Sequence, residues 1–561
     1  MSAFKSNLNP EFRSKFSEDI FNLKYKHEGA ETWDALAKTL VDDVCGEKLT
    51  KDEVSQLTTY IREMKFIPGG RYLYYAGRPN KYFNNCYLLK AEEDSREDWA
   101  NLSWKAENCL MTGGGIGVDY SIYRASGAPI SKTGGTASGP IPKMQMINSI
   151  GSKVMQGGSR RSAIYASLNW KHGDIHDFLK AKDWASMPVG NTGKTLWDIK
   201  QEDFNFPAPL DMTNISVNYD TEWLLNYYKT GEVGEVFMQN VRQAMQTAEP
   251  GFSFNFFDKE NETLRNACTE VTSDDDSDVC NLGSVNMGRI TDIDEMSDVV
   301  ALATKFLICG TLKAKLPYQK VYETREKNRR LGLGLMGMHE WLIQRGSKYE
   351  VTPELHSWLQ VYRGVSDKVS RETADEFSIS RPVANRAIAP TGSIGILAGT
   401  STGVEPIFAV AYKRRYLKGN SRWVYQYVVD SAAQELIDRY GAQPDNVESA
   451  LDLAEDYERR MSFQADVQDY VDMSISSTIN LPSWGSKLNN EGTVEKFANT
   501  LAKYAPRLRG FTCYPDGSRG GQPLTAVPYQ EAVDKLGEEF DEHVETHDIC
   551  DITGTGGSCG V

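Results

Sequence analysis

The sequence predicts an α/β protein, on three observations. From Asn84 onward, short apolar runs alternate with stretches of helical periodicity. The apolar (40%) and charged (25%) fractions are those of an ordinary globular chain. At 561 residues the chain is also long enough for one large domain with appendages. Residues 1–84 read as a helical segment, because Glu31 to Val44 and Lys51 to Met64 place apolar residues at three and four spacing. Phe66-Ile-Pro-Gly-Gly-Arg71 breaks that pattern. Strands are predicted at Gly117 to Tyr123, Ile164 to Leu168 and Ile215 to Asn218. Helices are predicted at Glu222 to Tyr228, Val236 to Thr247 and Leu355 to Glu376. After Glu539 the chain turns acidic and then glycine-rich, ending Thr553-Gly-Thr-Gly-Gly-Ser-Cys-Gly-Val561, which predicts a mobile tail.

Composition excludes several classes. A net charge of −15 argues against a coat for polymeric nucleic acid, while glycine loops can still seat small anions. The most apolar run, Val299 to Leu312, is interrupted by Lys305, so no membrane span is expected. The N-terminal residues lack the apolar core of a secretion signal, and a cytoplasmic location is expected. Nine cysteines are scattered without a CxxC pair or a Cys/His cluster at zinc spacing, so no metal site is expected.

Four glycine-rich stretches are candidate phosphate loops or plain tight turns: Gly113-Gly-Gly-Ile-Gly117, Gly134-Gly-Thr-Ala-Ser-Gly139, Gln156-Gly-Gly-Ser-Arg-Arg-Ser-Ala163 and Pro390-Thr-Gly-Ser-Ile-Gly395. None carries the Gly-Lys-Ser/Thr close of a P-loop, and Gly113 to Gly117 lacks the spacing of a dinucleotide fold. The last also offers the hydroxyls of Thr391 and Ser393 and is read as opening a helix, a natural phosphate seat.

Asn266-Ala-Cys-Thr-Glu270 is sharper. In an extended segment Asn266, Cys268 and Glu270 share one face, setting a thiol between an amide and a carboxylate. The thiol can take and return a hydrogen atom, the carboxylate can act as a base toward a hydroxyl, and the amide can hold another hydroxyl. Cys280, in Cys280-Asn-Leu-Gly-Ser-Val-Asn286, and Cys86, in Asn84-Asn-Cys86, can deliver two electrons by closing a disulfide if the fold brings them together.

Together these motifs resemble the catalytic (large, alpha) subunit of ribonucleotide reductases. The match runs in order through Phe66 to Arg71, Asn84 to Cys86, Gly113 to Gly117, Thr133 to Pro140, Gln156 to Arg161, Asn214-Ile-Ser-Val217 and Asn266 to Glu270. It continues through Cys280 to Asn286, Arg329-Arg-Leu-Gly-Leu-Gly-Leu-Met-Gly337, Ala389 to Ile394, Gly403-Val-Glu-Pro406 and Thr478-Ile-Asn-Leu-Pro482.

The resemblance implies a ten-stranded α/β barrel of two parallel five-stranded halves over residues 85–538, with a helical segment (1–84) before it and a redox tail (539–561) after it. It implies an oxidoreductase that makes deoxynucleotides from ribonucleotides, written first as a diphosphate reductase with triphosphates left open. Cys268 would become a thiyl radical and take the ribose 3′ hydrogen. Glu270 would accept the 3′-hydroxyl proton, Asn266 would hold the substrate, and Cys86 with Cys280 would supply the reducing dithiol. Asn85 would contact the substrate, and Thr391, Gly392, Ser393 and Ile394 would seat its phosphates. A deoxynucleotide or ATP effector would bind at the interface of a homodimer, on Asp94, Ser95 and Arg124, with Arg124 to Thr136 and Gly157 to Ala163 as its loops. Cys550 and Cys559 resemble the tail pair that passes electrons from a thioredoxin- or glutaredoxin-like protein.

No ATP-cone is expected ahead of the helical segment, which makes this a compact, phage-like form. Tyr514 is expected to carry the radical, with Cys513 standing where relatives place a first tyrosine. The expected radical source is a separate ferritin-like subunit, with no cofactor held permanently in this chain. Adenosylcobalamin is the alternative source, because the Asp516-Gly-Ser-Arg519 ending is similar to that of the cobalamin enzymes. A catalytically inactive nucleotide-binding regulator is the reading from a different class, and intact Asn266, Cys268 and Glu270 argue against it.

Overall fold

The N-terminal periodicity folds as three helices, α1 (Lys15–Lys24), α2 (Trp33–Cys45) and α3 (Lys51–Arg62). Each starts on a hydroxyl cap: Ser14, Thr32, and Thr50 in a reciprocal box with Glu53. Trp33, Leu36, Ala37 and Leu40 of α2 are fully buried. The structure is a computed structural model that describes residues 11–132, 134–154, 162–203, 206–418, 422–518 and 524–543.

The strands follow in chain order. β1 (Phe66–Pro68), β2 (Cys86–Lys90), β3 (Gly115–Asp119), β4 (Ile164–Asn169), β5 (Thr213–Tyr219) and β6 (Gly251–Phe254) come first. A short hairpin, β7 (Leu264–Arg265) and β8 (Thr272–Ser273), precedes β9 (Asp278–Asn286) and β10 (Leu331–Met336). β11 (Ala411–Lys418), β12 (Arg422–Val429), β13 (Thr478–Leu481), β14 (Gly510–Pro515), β15 (Leu524–Ala526) and β16 (Glu539–His543) complete the set.

The pairing gives the expected barrel. β2 to β6 form one parallel run, each strand beside the next. The second parallel half is β9 beside β10, then the segment 386–388, then Ile475 leading into β13, then β14. Two of these steps are single bridges, Leu333 with Arg386 and Ile388 with Ile475. They are reinforced by backbone bonds such as Ile388 N–H to the Ser474 carbonyl at 3.1 Å. The halves meet antiparallel at two seams, β2 on β9 and β6 on β14. β9 is buried along its whole length, as a strand of a covered parallel sheet should be.

Several predicted boundaries move. β3 runs from Gly115 to Asp119, not 117 to 123, because the Asp119 carboxylate accepts from Ser121 N–H at 3.0 Å and turns the chain. The division at residue 84 leaves β1 on the wrong side of it, since Phe66 to Pro68 pair with Val285 to Gly283 of β9. The division at 539 does the same to β16, which pairs with β12 in a separate four-stranded sheet, β15-β11-β12-β16. Among the described residues no helix is long and apolar enough to cross a membrane.

Candidate active site

The β7–β8 hairpin carries Asn266 to Val271 into the barrel, and Gly117 lets it in: a Cβ there would lie 1.5 Å from the Arg265 carbonyl oxygen. Gly113 and Gly114 instead lie flat against the Arg71 guanidinium and the Tyr87 ring. This glycine stretch therefore serves close packing, and its phosphate reading is withdrawn.

The loop is not extended, so the alternation argument for Asn266, Cys268 and Glu270 fails. Thr269 N–H donates to the Asn266 carbonyl at 2.9 Å, closing a tight turn, and Thr269 itself is left-handed at φ 71°. The Asn266 side chain fastens the turn by accepting from Val271 N–H at 2.9 Å. The three residues are gathered by this turn and by the walls around it. Arg265 at the loop's base is fully buried, donating to Asn255 Oδ1 at 2.7 Å and to the Arg509 carbonyl at 3.2 Å.

Cys86 and Cys280 are register partners across the first seam. Directly opposed residues of an antiparallel ladder have Cα atoms about 4.5–5.5 Å apart, within the roughly 4.4–6.8 Å that a disulfide spans. Both side chains are buried. Asn266 Nδ2 lies 3.0 Å from the Cys86 sulfur, joining the loop to the dithiol. Burial pushes the Cys280 thiol up, aided by the charges of Asp278 and Glu270. Burial also raises the Glu270 carboxyl to about 7, against the opposing hydrogen bonds from Asn266 and its own backbone. Glu270 Oε2 and the amide oxygens of Asn84 and Asn85 are buried without a hydrogen-bond partner among the described groups. That leaves acceptors around the dithiol with nothing yet to accept from.

Cys268 is half-buried and lines a narrow cleft with Tyr165, Asn214, Ser216, Thr512, Cys513 and Tyr514 among its walls. Cys513 and Tyr514 come from β14 at the second seam. Tyr165 is buried at that wall, beside Ser216 and Ser253. A Cβ on Gly251 would come within 2.9 Å of the Ser216 hydroxyl and the Thr512 methyl, so glycine keeps the cleft open. Burial pushes the Cys513 thiol up to about 12.

The segment through Ala387 and Ala389 packs on the Cys86–Cys280 cluster and runs directly into Thr391. Thr391 is left-handed (φ 52°), its hydroxyl accepts from Gly403 N–H at 2.8 Å, and a helix begins at Gly392. Gly392, Ser393 and Ile394 thus form the first turn of that helix at the dithiol end of the barrel. Sequence reasoning missed Lys24, whose ammonium donates to the Ser393 hydroxyl at 3.1 Å from the end of α1. It also missed Tyr165 as a wall of the Cys268 cleft. No local motif marks either residue.

At the residues expected to hold an effector, Arg124 Nε donates to Asp94 Oδ2 at 2.6 Å, and Ser95 caps the helix Arg96–Met111. Arg124 also donates to the Pro129 carbonyl at 3.1 Å, tying down the first loop. Thr133 and residues 157–161 of the two effector loops lie outside the described residues, as do Cys550 and Cys559.

The fold and this cysteine-bearing loop define a barrel enzyme class, and sequence comparison places the chain within it. The ribonucleotide reductase barrel-domain family matches residues 84–358 and 383–513. The chain belongs to that family. The vitamin B12-dependent ribonucleoside-diphosphate reductase of Mycobacterium tuberculosis is 26% identical over 86% of this chain and 75% of its own length. A putative adenosylcobalamin-dependent ribonucleoside-triphosphate reductase of Mycobacterium phage D29 is 24% identical over 74% of this chain and 67% of its own. Among solved structures, the class Id ribonucleotide reductase alpha subunit of Actinobacillus ureae superposes with TM-score 0.69 at 15% identity, covering 90% of this chain and 97% of that one. It shares the fold.

Proposed function

We propose that this chain is the catalytic subunit of a ribonucleotide reductase and that adenosylcobalamin starts its radical. The observation that carries the reaction class is the pairing of Cys86 with Cys280 beneath a loop that holds Cys268 and touches Cys86 through Asn266. In this reading Cys268 gives up a hydrogen atom and takes the ribose 3′ hydrogen. Glu270 accepts the 3′-hydroxyl proton, and the 2′-hydroxyl leaves as water. Cys86 and Cys280 supply two electrons and two protons and close as a disulfide, and Cys268 returns its hydrogen to C3′. Thr391, Gly392, Ser393 and Ile394 seat the phosphates, and Asn85 contacts the sugar.

The radical source departs from the expected ferritin-like subunit. The relatives that match most of this chain are named for vitamin B12 or adenosylcobalamin, and nothing among them supports that partner. The cleft beside Cys268 is lined by hydroxyl- and amide-bearing side chains, Tyr165, Asn214, Ser216 and Thr512, which suit a polar organic group. Adenosylcobalamin, when bound, supplies an organic radical able to take a hydrogen atom from a thiol. Tyr165, Asn214, Ser216 and Thr512 would hold that group and keep bulk water from Cys268.

The effector reading keeps Asp94, Ser95 and Arg124. The helices Arg96–Met111 and Pro140–Lys153 pack together beside it and expose Trp104, Met111 and Met146, a surface suited to a second copy of the chain. The test is deoxynucleotide formation from purified protein in parallel arms, one with adenosylcobalamin and one with a metal-loaded ferritin-like subunit, each on di- and triphosphates and driven by a thioredoxin-like reductant. Product in the cobalamin arm alone is expected. Product only with the subunit would overturn the radical source, and product in neither would overturn the activity.

A further inference from the structure

Seven cysteines lie among the described residues, and the reaction above uses three of them. Two others, Cys45 and Cys309, lie on helices packed together behind the Cys280 strand. Cys45 ends α2, and Cys309 lies in the helix Ile293–Lys313. Ion pairs on either side fix the register between these elements. Lys305 donates to Glu53 at 2.6 Å, and Lys313 pairs with Glu47 at 2.9 Å. Lys305, Cys309 and Lys313 are spaced i, i+4, i+8 and share one stripe of their helix, so Cys309 is centred on the turn between Cys45 and Glu53. Both thiols have no solvent exposure. Burial, and after it the neighbouring Cys309 thiol, push the Cys45 thiol well up.

The same helix backs the strand of the reducing dithiol. Asn281, next to Cys280, donates to the Leu307 carbonyl at 2.8 Å and to the Tyr72 hydroxyl at 2.6 Å. A Cβ on Gly310 would lie 1.7 Å from that hydroxyl. The turn carrying Cys309 is therefore packed without slack against Tyr72 and Asn281.

We propose that Cys45 and Cys309 are a second oxidisable dithiol, a disulfide site that ties α2 to the helix behind the Cys280 strand. The chemistry is exchange with a low-molecular-weight disulfide. One thiolate attacks it, releasing a small thiol and leaving a mixed disulfide. The second protein thiol then displaces the other small thiol. Both protein sulfurs are oxidised, two small thiols are formed, and the chain loses two hydrogens. Because both sulfurs are buried, exchange waits on local opening of α2 and is slow beside exchange at any exposed thiol. The proposal does not depend on the radical source or on the reductase activity.

The test uses the full chain. It is incubated with glutathione disulfide, quenched by acid alkylation and mapped by mass spectrometry. A peptide pair joining Cys45 to Cys309, two hydrogens lighter than the reduced pair and released by dithiothreitol, is expected. The oxidised wild type should also unfold at a midpoint on the order of 5 °C above identically treated Cys45→Ala, with Cys309→Ala as a second reference. The wild-type mapping needs no variant to fold. Recovery of Cys45 and Cys309 as separately alkylated thiols, even after incubation just below the unfolding midpoint, would overturn the proposal.

Discussion

The two antiparallel seams of the barrel are built from the same pairing but finished in opposite ways. At the β2–β9 seam, Cys86 and Cys280 face each other and are packed by Leu88, Leu264, Val271 and Met473. At the β6–β14 seam, the walls are Gly251, Ser216, Thr512 and Cys513, and a cleft remains. The turn Asn266 to Thr269 reaches both, touching Cys86 through Asn266 and the cleft through Cys268. In the proposed reading, the packed seam would supply electrons and protons and the other seam would face the radical source, a division that would separate a step water would spoil from a step that needs an external group.

The sharpest way to break the comparison is to remove the residue common to both sides. Cys268→Ser should lower turnover by at least about 10³-fold while nucleotide affinity is kept, because a hydroxyl holds its hydrogen too strongly for reversible abstraction. Deoxynucleotide formation at more than a trace would take Cys268 out of the role. Gly117→Ala attacks the same loop mechanically. With a Cβ 1.5 Å from the Arg265 carbonyl, the hairpin must shift, at a cost of about 3 kcal/mol in stability and most of the activity. Wild-type stability and turnover in this variant would mean that the loop is not threaded as described.

How much of this was legible in the sequence differs between the seams. Within the parallel run, β3, β4 and β5 showed through apolar stretches such as Ile164 to Leu168, because buried parallel strands are apolar on both faces. The closure through 386–388 and Ile475 did not, since single bridges between Ala-, Pro- and Ser-rich segments carry no strand pattern. Family motifs named Cys86 and Cys280, but register between residues so far apart in the chain is set by the whole barrel and is invisible locally. The Asn266 to Glu270 segment is a tight turn where its pattern reads as extended, because a β-branched Thr269 at positive φ is the residue type least expected to mark a turn. The Cys268 cleft had no signal beyond Tyr514, because small wall residues are unremarkable in sequence.

The packed seam makes a pH prediction. Glu270 must be ionised to take a proton, and burial holds its carboxyl at about 7. Its charged fraction, and with it kcat/KM, should fall as pH drops through about 7, approaching tenfold per pH unit well below that point. The check is a profile from pH 5.5 to 8.5 at constant ionic strength. A flat acid limb would remove Glu270 as the base, or show that substrate binding restores its ordinary pKa.

The smallest expected effect belongs to the open seam, and it decides what the cleft is for. Tyr514 lines that cleft on β14, one residue beyond Cys513. If an oxidising equivalent arrives from a partner subunit, Tyr514 is a redox-active stop on its way to Cys268. Removing the phenol hydroxyl would then abolish turnover as thoroughly as Cys268→Ser. If a cofactor seated in the cleft acts on Cys268 directly, the hydroxyl contributes only wall contacts. Tyr514→Phe, which keeps the ring, should then hold kcat within about fivefold, the cost of roughly one lost hydrogen bond near the cofactor. The neighbouring Cys513 favours the second case, since its thiol, held up at about 12 by burial, stands where a radical path would place a tyrosine. Steady-state turnover of Tyr514→Phe with adenosylcobalamin, beside a cofactor-binding titration of the same variant, separates the two. Loss of turnover with binding intact would return Tyr514 to a radical path and reopen the case for a partner subunit.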